Sequence, residues 1–192
     1  MDLNLLYRRT RDIIRNPAAM WHDVKDENRS VNELRTSFLF PMALFIAIAG
    51  VVGTIVFTYN GFSFLFPLIV AVKYLIGFIV TVELTSLLIT EIAVAFKPVR
   101  SAADNYKLVL YSFTPFMVIM IITRLFSSLI FLNIGGLYGI YIAWLGVKII
   151  TEVPSSIRIR YTALVSLAIL VIYLSVFYIL NAIHDGIYFA FT

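Results

Sequence analysis

The sequence has no cysteine and only two histidines in 192 residues, and these absences exclude more than any motif asserts. Without thiols there can be no disulfide and no thiolate metal site, and two imidazoles leave almost nothing for a His-based metal or catalytic centre. No cofactor is expected. Charge is also scarce: 14% of residues are charged and 61% are hydrophobic, against about 25% and about 45–50% in soluble domains. A soluble globular domain is thereby excluded. Residues 1–37 hold no apolar run followed by a small-residue cleavage site, so no cleaved signal peptide is expected. The net charge of +4 would point to nucleic acid in a soluble protein, but here it reads as membrane topology, and no nucleic-acid partner is expected.

Long hydrophobic runs fill the chain instead, with a mean hydropathy of +0.94. A bilayer-crossing helix needs about 20 predominantly apolar residues. Five stretches qualify: Phe38–Tyr59, Leu68–Phe96, Lys107–Phe126, Leu129–Ile150 and Tyr161–Ile183. The expected fold class is therefore all-α, a polytopic integral membrane protein with five transmembrane helices preceded by amphipathic, interfacial helices. Two parts follow: an N-terminal segment, 1–37, and a five-span domain, 38–192.

In the N-terminal segment, Leu3, Leu6, Tyr7, Ile13 and Ile14 recur at helical spacing while Arg8, Arg11 and Arg15 occupy the other face. Such a helix can lie on anionic lipid or pack on the ends of the spans. Asn16-Pro17 should end it and begin a second, with Trp21 as a headgroup-level anchor. Arg8, Arg11, Arg15 and Trp21 are the expected membrane-surface contacts. Ser30-Val-Asn-Glu33 has the form of a capping box ahead of the first span, and Pro41 should bend that span near the interface. Gly50 and Gly53 could admit a neighbouring helix, and Gly135 and Gly139 form a G-x-x-x-G pair.

Orientation follows from the basic residues. Of the 15, the groups Arg8 to Arg35, Lys97 to Lys107 and Lys148 to Arg160 put all but Lys73 and Arg124 on the side of the N-terminus. By the positive-inside rule the N-terminus is cytoplasmic and the C-terminus outside.

The second span carries Lys73, Glu83 and Glu91 within one wedge of the helix, and charge inside a span should face protein or water. Lys73 and Glu91 lie near the ends and can snorkel. Glu83 lies near the midplane and must be paired, hydrogen-bonded or protonated. Ser86 and Thr90 on adjacent turns, with Tyr111 and Thr114 from the third span, are its candidate neighbours, and Pro115 with Tyr111 could form a kink that opens the hairpin. The alternatives are plain: Glu83 is a neutral acid bridging two helices, and Tyr111 and Pro115 simply pack. On the bridging reading, Glu83→Gln leaves folding intact. No nucleophile, base and orienting group meet at one depth, so no enzyme activity is expected.

Several features in order resemble the Yip1 domain family: Asn16-Pro17 with Trp21, the Ser30 cap and Pro41, Tyr111-Ser-Phe-Thr-Pro115, and a Gly/Tyr-rich fourth span followed by Gly146-Val-Lys148. The resemblance runs from about residue 15 to 183 and implies five spans and a cytoplasmic N-terminus. The eukaryotic branch associates with prenylated Rab GTPases, but its Asp-Leu-Tyr-Gly-Pro stretch is replaced here by Lys97-Pro-Val-Arg-Ser-Ala-Ala-Asp104. A bacterial inner-membrane member is the expectation. It would be a non-enzymatic scaffold binding lipids or membrane proteins and affecting membrane shape, with a homo-oligomer or other membrane proteins as partners. The alternative is a small oligomeric transporter or channel using the seam around Glu83.

Overall fold

Caps and prolines set the boundaries. In the computed structural model, which describes residues 3–58, 65–96, 101–151 and 153–191, every regular element is helical. Helix α1 spans Leu3–Arg15 and α2 spans Pro17–Lys25. Between them the Asn16 side chain accepts from the Ala19 amide at 3.4 Å, with Pro17 in the first turn. Ser30 and Glu33 form the full capping box, Ser30 Oγ accepting from the Glu33 amide while Glu33 Oε2 accepts from the Ser30 amide at 2.8 Å. The first span starts there, as Val31–Phe57.

Pro41 leaves its mark on the turn before it. It has no N–H for the carbonyl four residues earlier, so the helix widens into a π-turn over Arg35–Leu39, with the Phe40 amide bonding the Arg35 carbonyl. The hydroxyls of Thr36 and Ser37 turn back to the carbonyls of Asn32 and Glu33, at 3.0 and 2.5 Å.

Five helices are long and apolar enough to cross a membrane, so the chain is an integral membrane protein of five spans. The second helix of this set runs Leu65–Phe96 and the third, capped by Ser101, runs Ala102–Leu125. The fourth is compound, a 3₁₀ stretch over Ser127–Leu137 followed by α-helix over Tyr138–Ile149. The fifth runs Ser155–Phe191, absorbing residues the sequence reading assigned to a loop. At 37 residues it is about 55 Å long, well beyond the ~30 Å of hydrocarbon. The expected Asn60-Gly61 turn and the Lys97–Arg100 stretch lie outside the described residues.

The third span is the central one. Its most apolar window is 61% buried, against 17% for the fifth span, so the fifth lies at the edge of the bundle with most of its surface uncovered by the chain. An aromatic cluster joins the second, third and fifth spans: Phe78 meets Phe113 at 5.7 Å and Phe177 at 5.4 Å, and Phe116 meets Tyr173 edge-on at 4.9 Å between ring centroids. Missing side chains set the closest approaches. At Gly53 the Arg124 carbonyl fills the place of a Cβ, and at Gly139 the Ser112 carbonyl does.

Helices α1 and α2 fold onto this bundle. Leu6 and Ile13 of α1 and Met20, Trp21 and Val24 of α2 are buried, while Arg8, Arg11 and Arg15 stay exposed.

Candidate functional site

One group of polar side chains gathers where the first, second and third spans meet near the N-terminal helices. Glu83 is the centre. The π-turn presents Arg35 to it, and the guanidinium donates from Nε to Oε1 and from Nη2 to Oε2, both at 2.6 Å. The Tyr106 hydroxyl donates to Oε1 at 2.9 Å, and the Arg35 guanidinium lies 5.9 Å from the Tyr106 ring centroid. One carboxylate thus ties together three spans through a bidentate ion pair and a phenol, the geometry in which Arg and carboxylate interact most strongly. The pair is partly accessible, with side-chain exposures of 36% for Arg35 and 24% for Glu83.

The residues expected beside Glu83 divide among other tasks. The Thr90 hydroxyl donates to the Ser86 carbonyl at 2.8 Å and accepts from Asn105 Nδ2 at 3.4 Å, joining the second and third spans. Glu91 is exposed. Thr114 is fully buried and returns its hydroxyl to the Leu110 carbonyl at 2.9 Å, next to the Tyr111 carbonyl that Pro115 leaves without its helical donor. Tyr111 corrects the expectation most clearly. It belongs to a second cluster, with Phe38 and Trp21 edge-on at 5.3 and 5.9 Å and Arg9 over its ring at 5.9 Å.

Trp21 is a correction too. It is fully buried, and its indole Nε1 donates to the Ile142 carbonyl at 2.9 Å, so it bolts α2 to the fourth span instead of contacting the membrane surface. The G-x-x-x-G pair does not form one helical face, because Gly135 lies exposed in the 3₁₀ stretch while Gly139 begins the α-helix packed on the third span. The close fourth-span glycines are Gly139 against the Ser112 backbone, Gly136 against Phe116, and Gly146 against Leu108 and Trp21.

Arg35, Tyr106 and Lys107 were missed as site residues, and each carried a signal. Arg35 sits one turn after the Ser30 cap, and Tyr106 one turn after the Ser101 cap, where an antiparallel hairpin sets Asn105 beside Thr90. Lys107 is buried to 3% exposure, and its ammonium donates to the Val24 and Glu27 carbonyls at 3.3 and 2.5 Å. There it holds the chain just past α2, sharing the Val24 carbonyl with the Glu27 amide and adding the Glu27 carbonyl. Glu27 in turn accepts from Arg9 at 2.8 Å and pairs with Arg29 at 2.9 Å. The N-terminal helices are therefore fastened by charge on one edge and by Trp21 on the other.

The arrangement can fix helices relative to one another; Glu83 has both oxygens engaged. Among the described residues no three His, Cys, Asp or Glu side chains gather as a metal site would need. A family model described as the Yip1 domain matches residues 11–177 of the chain. Comparison with curated proteins and with solved structures gave no match.

Proposed function

The chain belongs to the Yip1 domain family, and from that premise we propose that it acts as a non-enzymatic membrane scaffold that binds other membrane proteins or lipids. The observation that supports this most is the Arg35–Glu83–Tyr106 clamp. A transport carboxylate has to exchange its partner for a proton or ion, whereas this one is held by a bidentate guanidinium and a phenol from two other helices. Helices α1 and α2 give a second support, since Leu6, Ile13, Met20, Trp21 and Val24 are buried on the spans while Leu3, Tyr7 and Ile14 stay exposed beside an outward basic rim of Arg8, Arg11 and Arg15. A basic rim of this kind suits the anionic cytoplasmic leaflet of a bacterial inner membrane, with the N-terminus inside and the C-terminus outside. Large apolar side chains exposed on the fourth and fifth spans, such as Ile134, Leu137, Leu170 and Leu174, provide the faces for lipid, a second copy or other membrane proteins.

Extraction of the full chain in native-lipid particles, followed by identification of the copurifying components, tests the proposal. Membrane proteins or lipids retained in fixed ratio are the expected result. A soluble small molecule or ion retained in fixed ratio at Glu83 would overturn it.

A further inference from the structure

The two basic residues that break the positive-inside pattern, Lys73 and Arg124, lie 51 positions apart in sequence and come together in space. They share one ring: the Lys73 ammonium is 5.3 Å and the Arg124 guanidinium 5.2 Å from the centroid of Tyr74. Both line a cleft of about 920 Å³ between the second, third and fifth spans, at the end of the bundle away from α1 and α2. The polar partners of both are neutral. Arg124 Nη1 donates to the Tyr74 hydroxyl at 2.5 Å and Lys73 Nζ to Asn181 Oδ1 at 3.2 Å. Among the described residues neither forms an ion pair with a carboxylate, and Arg124 Nε has no hydrogen-bond partner. The acid nearest in sequence to Asn181 is Asp185, one turn on, which is 66% exposed and bonded to His184 at 3.1 Å.

Two cations around one ring in membrane-spanning segments repel each other, and the one carboxylate seen to act on Lys73 is the exposed Asp185. Among the described residues the guanidinium and the ammonium each make one hydrogen bond, which leaves donors on both for a phosphate. The remaining walls are apolar and aromatic, with Met120, Tyr173 and Phe177, and the cleft opens past Leu174, Tyr178 and Ile179, all exposed on the outer face of the fifth span. A polar floor with a lateral greasy mouth fits an amphiphile better than a water-soluble anion. The geometry points to a binding site for the phosphodiester headgroup of an anionic membrane lipid, held by Lys73 and Arg124 with its acyl chains lying along the fifth span. The inference needs only the five-span fold and stands whether or not the scaffold proposal does.

The test is native mass spectrometry of the full chain in neutral detergent with mixed phosphatidylglycerol and phosphatidylcholine. Wild-type protein is expected to retain phosphatidylglycerol at least tenfold over phosphatidylcholine. Lys73→Gln with Arg124→Gln should abolish the preference, whereas Arg8→Gln with Arg11→Gln and Arg15→Gln, at the other end, should leave it. Asn181→Asp keeps the question answerable if the double variant does not fold. It supplies Lys73 with a carboxylate in place of the amide, so it should fold at least as well as wild type and still lose the lipid. Equal retention of the two lipids by wild type, or undiminished preference in Asn181→Asp, overturns the inference. Displacement of phosphatidylglycerol by millimolar inorganic phosphate would make the ligand a soluble anion and overturn the lipid assignment.

Discussion

At the residue scale the account turns on Glu83. The bridging expectation was that Glu83→Gln leaves folding intact; the bidentate pair with Arg35 reverses that. The amide cannot accept from both guanidinium nitrogens as a carboxylate does, and it leaves Arg35 without its counter-charge. Loss of one partner costs about 3–5 kcal/mol in a fully buried pair and little at a surface. With side-chain exposures of 36% and 24%, this pair falls between. Glu83→Gln should lower stability by about 1–3 kcal/mol, read as a fall in the thermal midpoint of the detergent-solubilised protein. Adding Arg35→Gln should recover part of that loss, since no orphan charge then remains. Tyr106→Phe removes one hydrogen bond and should cost about 1 kcal/mol or less, in line with hydrogen bonds between membrane helices. Equal midpoints for all three variants and wild type would show that the clamp contributes nothing.

At the element scale the question is what holds α1 and α2 on the bundle. Trp21→Phe keeps the ring packing but loses the bond to the Ile142 carbonyl, an expected cost of about 1 kcal/mol. Trp21→Ala removes the bolt and should cost about 3–5 kcal/mol. Limited proteolysis reads both, with cleavage within residues 1–30 expected to speed up in the order wild type, Trp21→Phe, Trp21→Ala. The same rates in all three would mean that the N-terminal helices are held elsewhere. The sequence made these elements legible because their boundaries are local: Asn16-Pro17 and the Ser30–Glu33 box each act within one turn. What α2 packs against was not legible. A Trp followed by basic and apolar residues has the same pattern whether it faces headgroups or the Ile142 carbonyl 121 residues away. The π-turn was hidden for a related reason, as Pro41 announces a lost hydrogen bond but not whether the helix bends or widens.

Glycine contacts belong to this scale as well. An added Cβ at Gly53 or Gly139 would meet backbone, which cannot step aside without moving a whole span, so Gly53→Ala and Gly139→Ala should each destabilise by about 1–3 kcal/mol or more. Gly186→Ala, in a helix with nothing within 4 Å of the new atom, should be neutral or stabilising by about 0.5–1 kcal/mol. Thermal midpoints that rank these variants in the opposite order would contradict the packing described.

At the scale of the whole molecule, span number and family follow from hydropathy and motif order, and the structure and the Yip1 domain match agree with both. The partners of the charged side chains needed three dimensions. Lys73 and Glu83 share a helix wedge in the sequence, yet one meets Asn181 and the other Arg35, because different neighbours flank the two ends of the second span. The proposed orientation is open to a clean test, since a chain without cysteine has no labelling background. A single cysteine at Arg8 should react with a membrane-impermeant maleimide only after the cells are broken, and one at Asp185 before; the reverse would invert the topology.

The central claim is that the seam around Glu83 is a fastening and not a conduit. Reconstitution into liposomes with a pH-sensitive dye inside tests it most directly. The account predicts no proton or monovalent-cation flux above protein-free vesicles, for wild type and Glu83→Gln alike. A flux carried by wild type and lost in Glu83→Gln would contradict it.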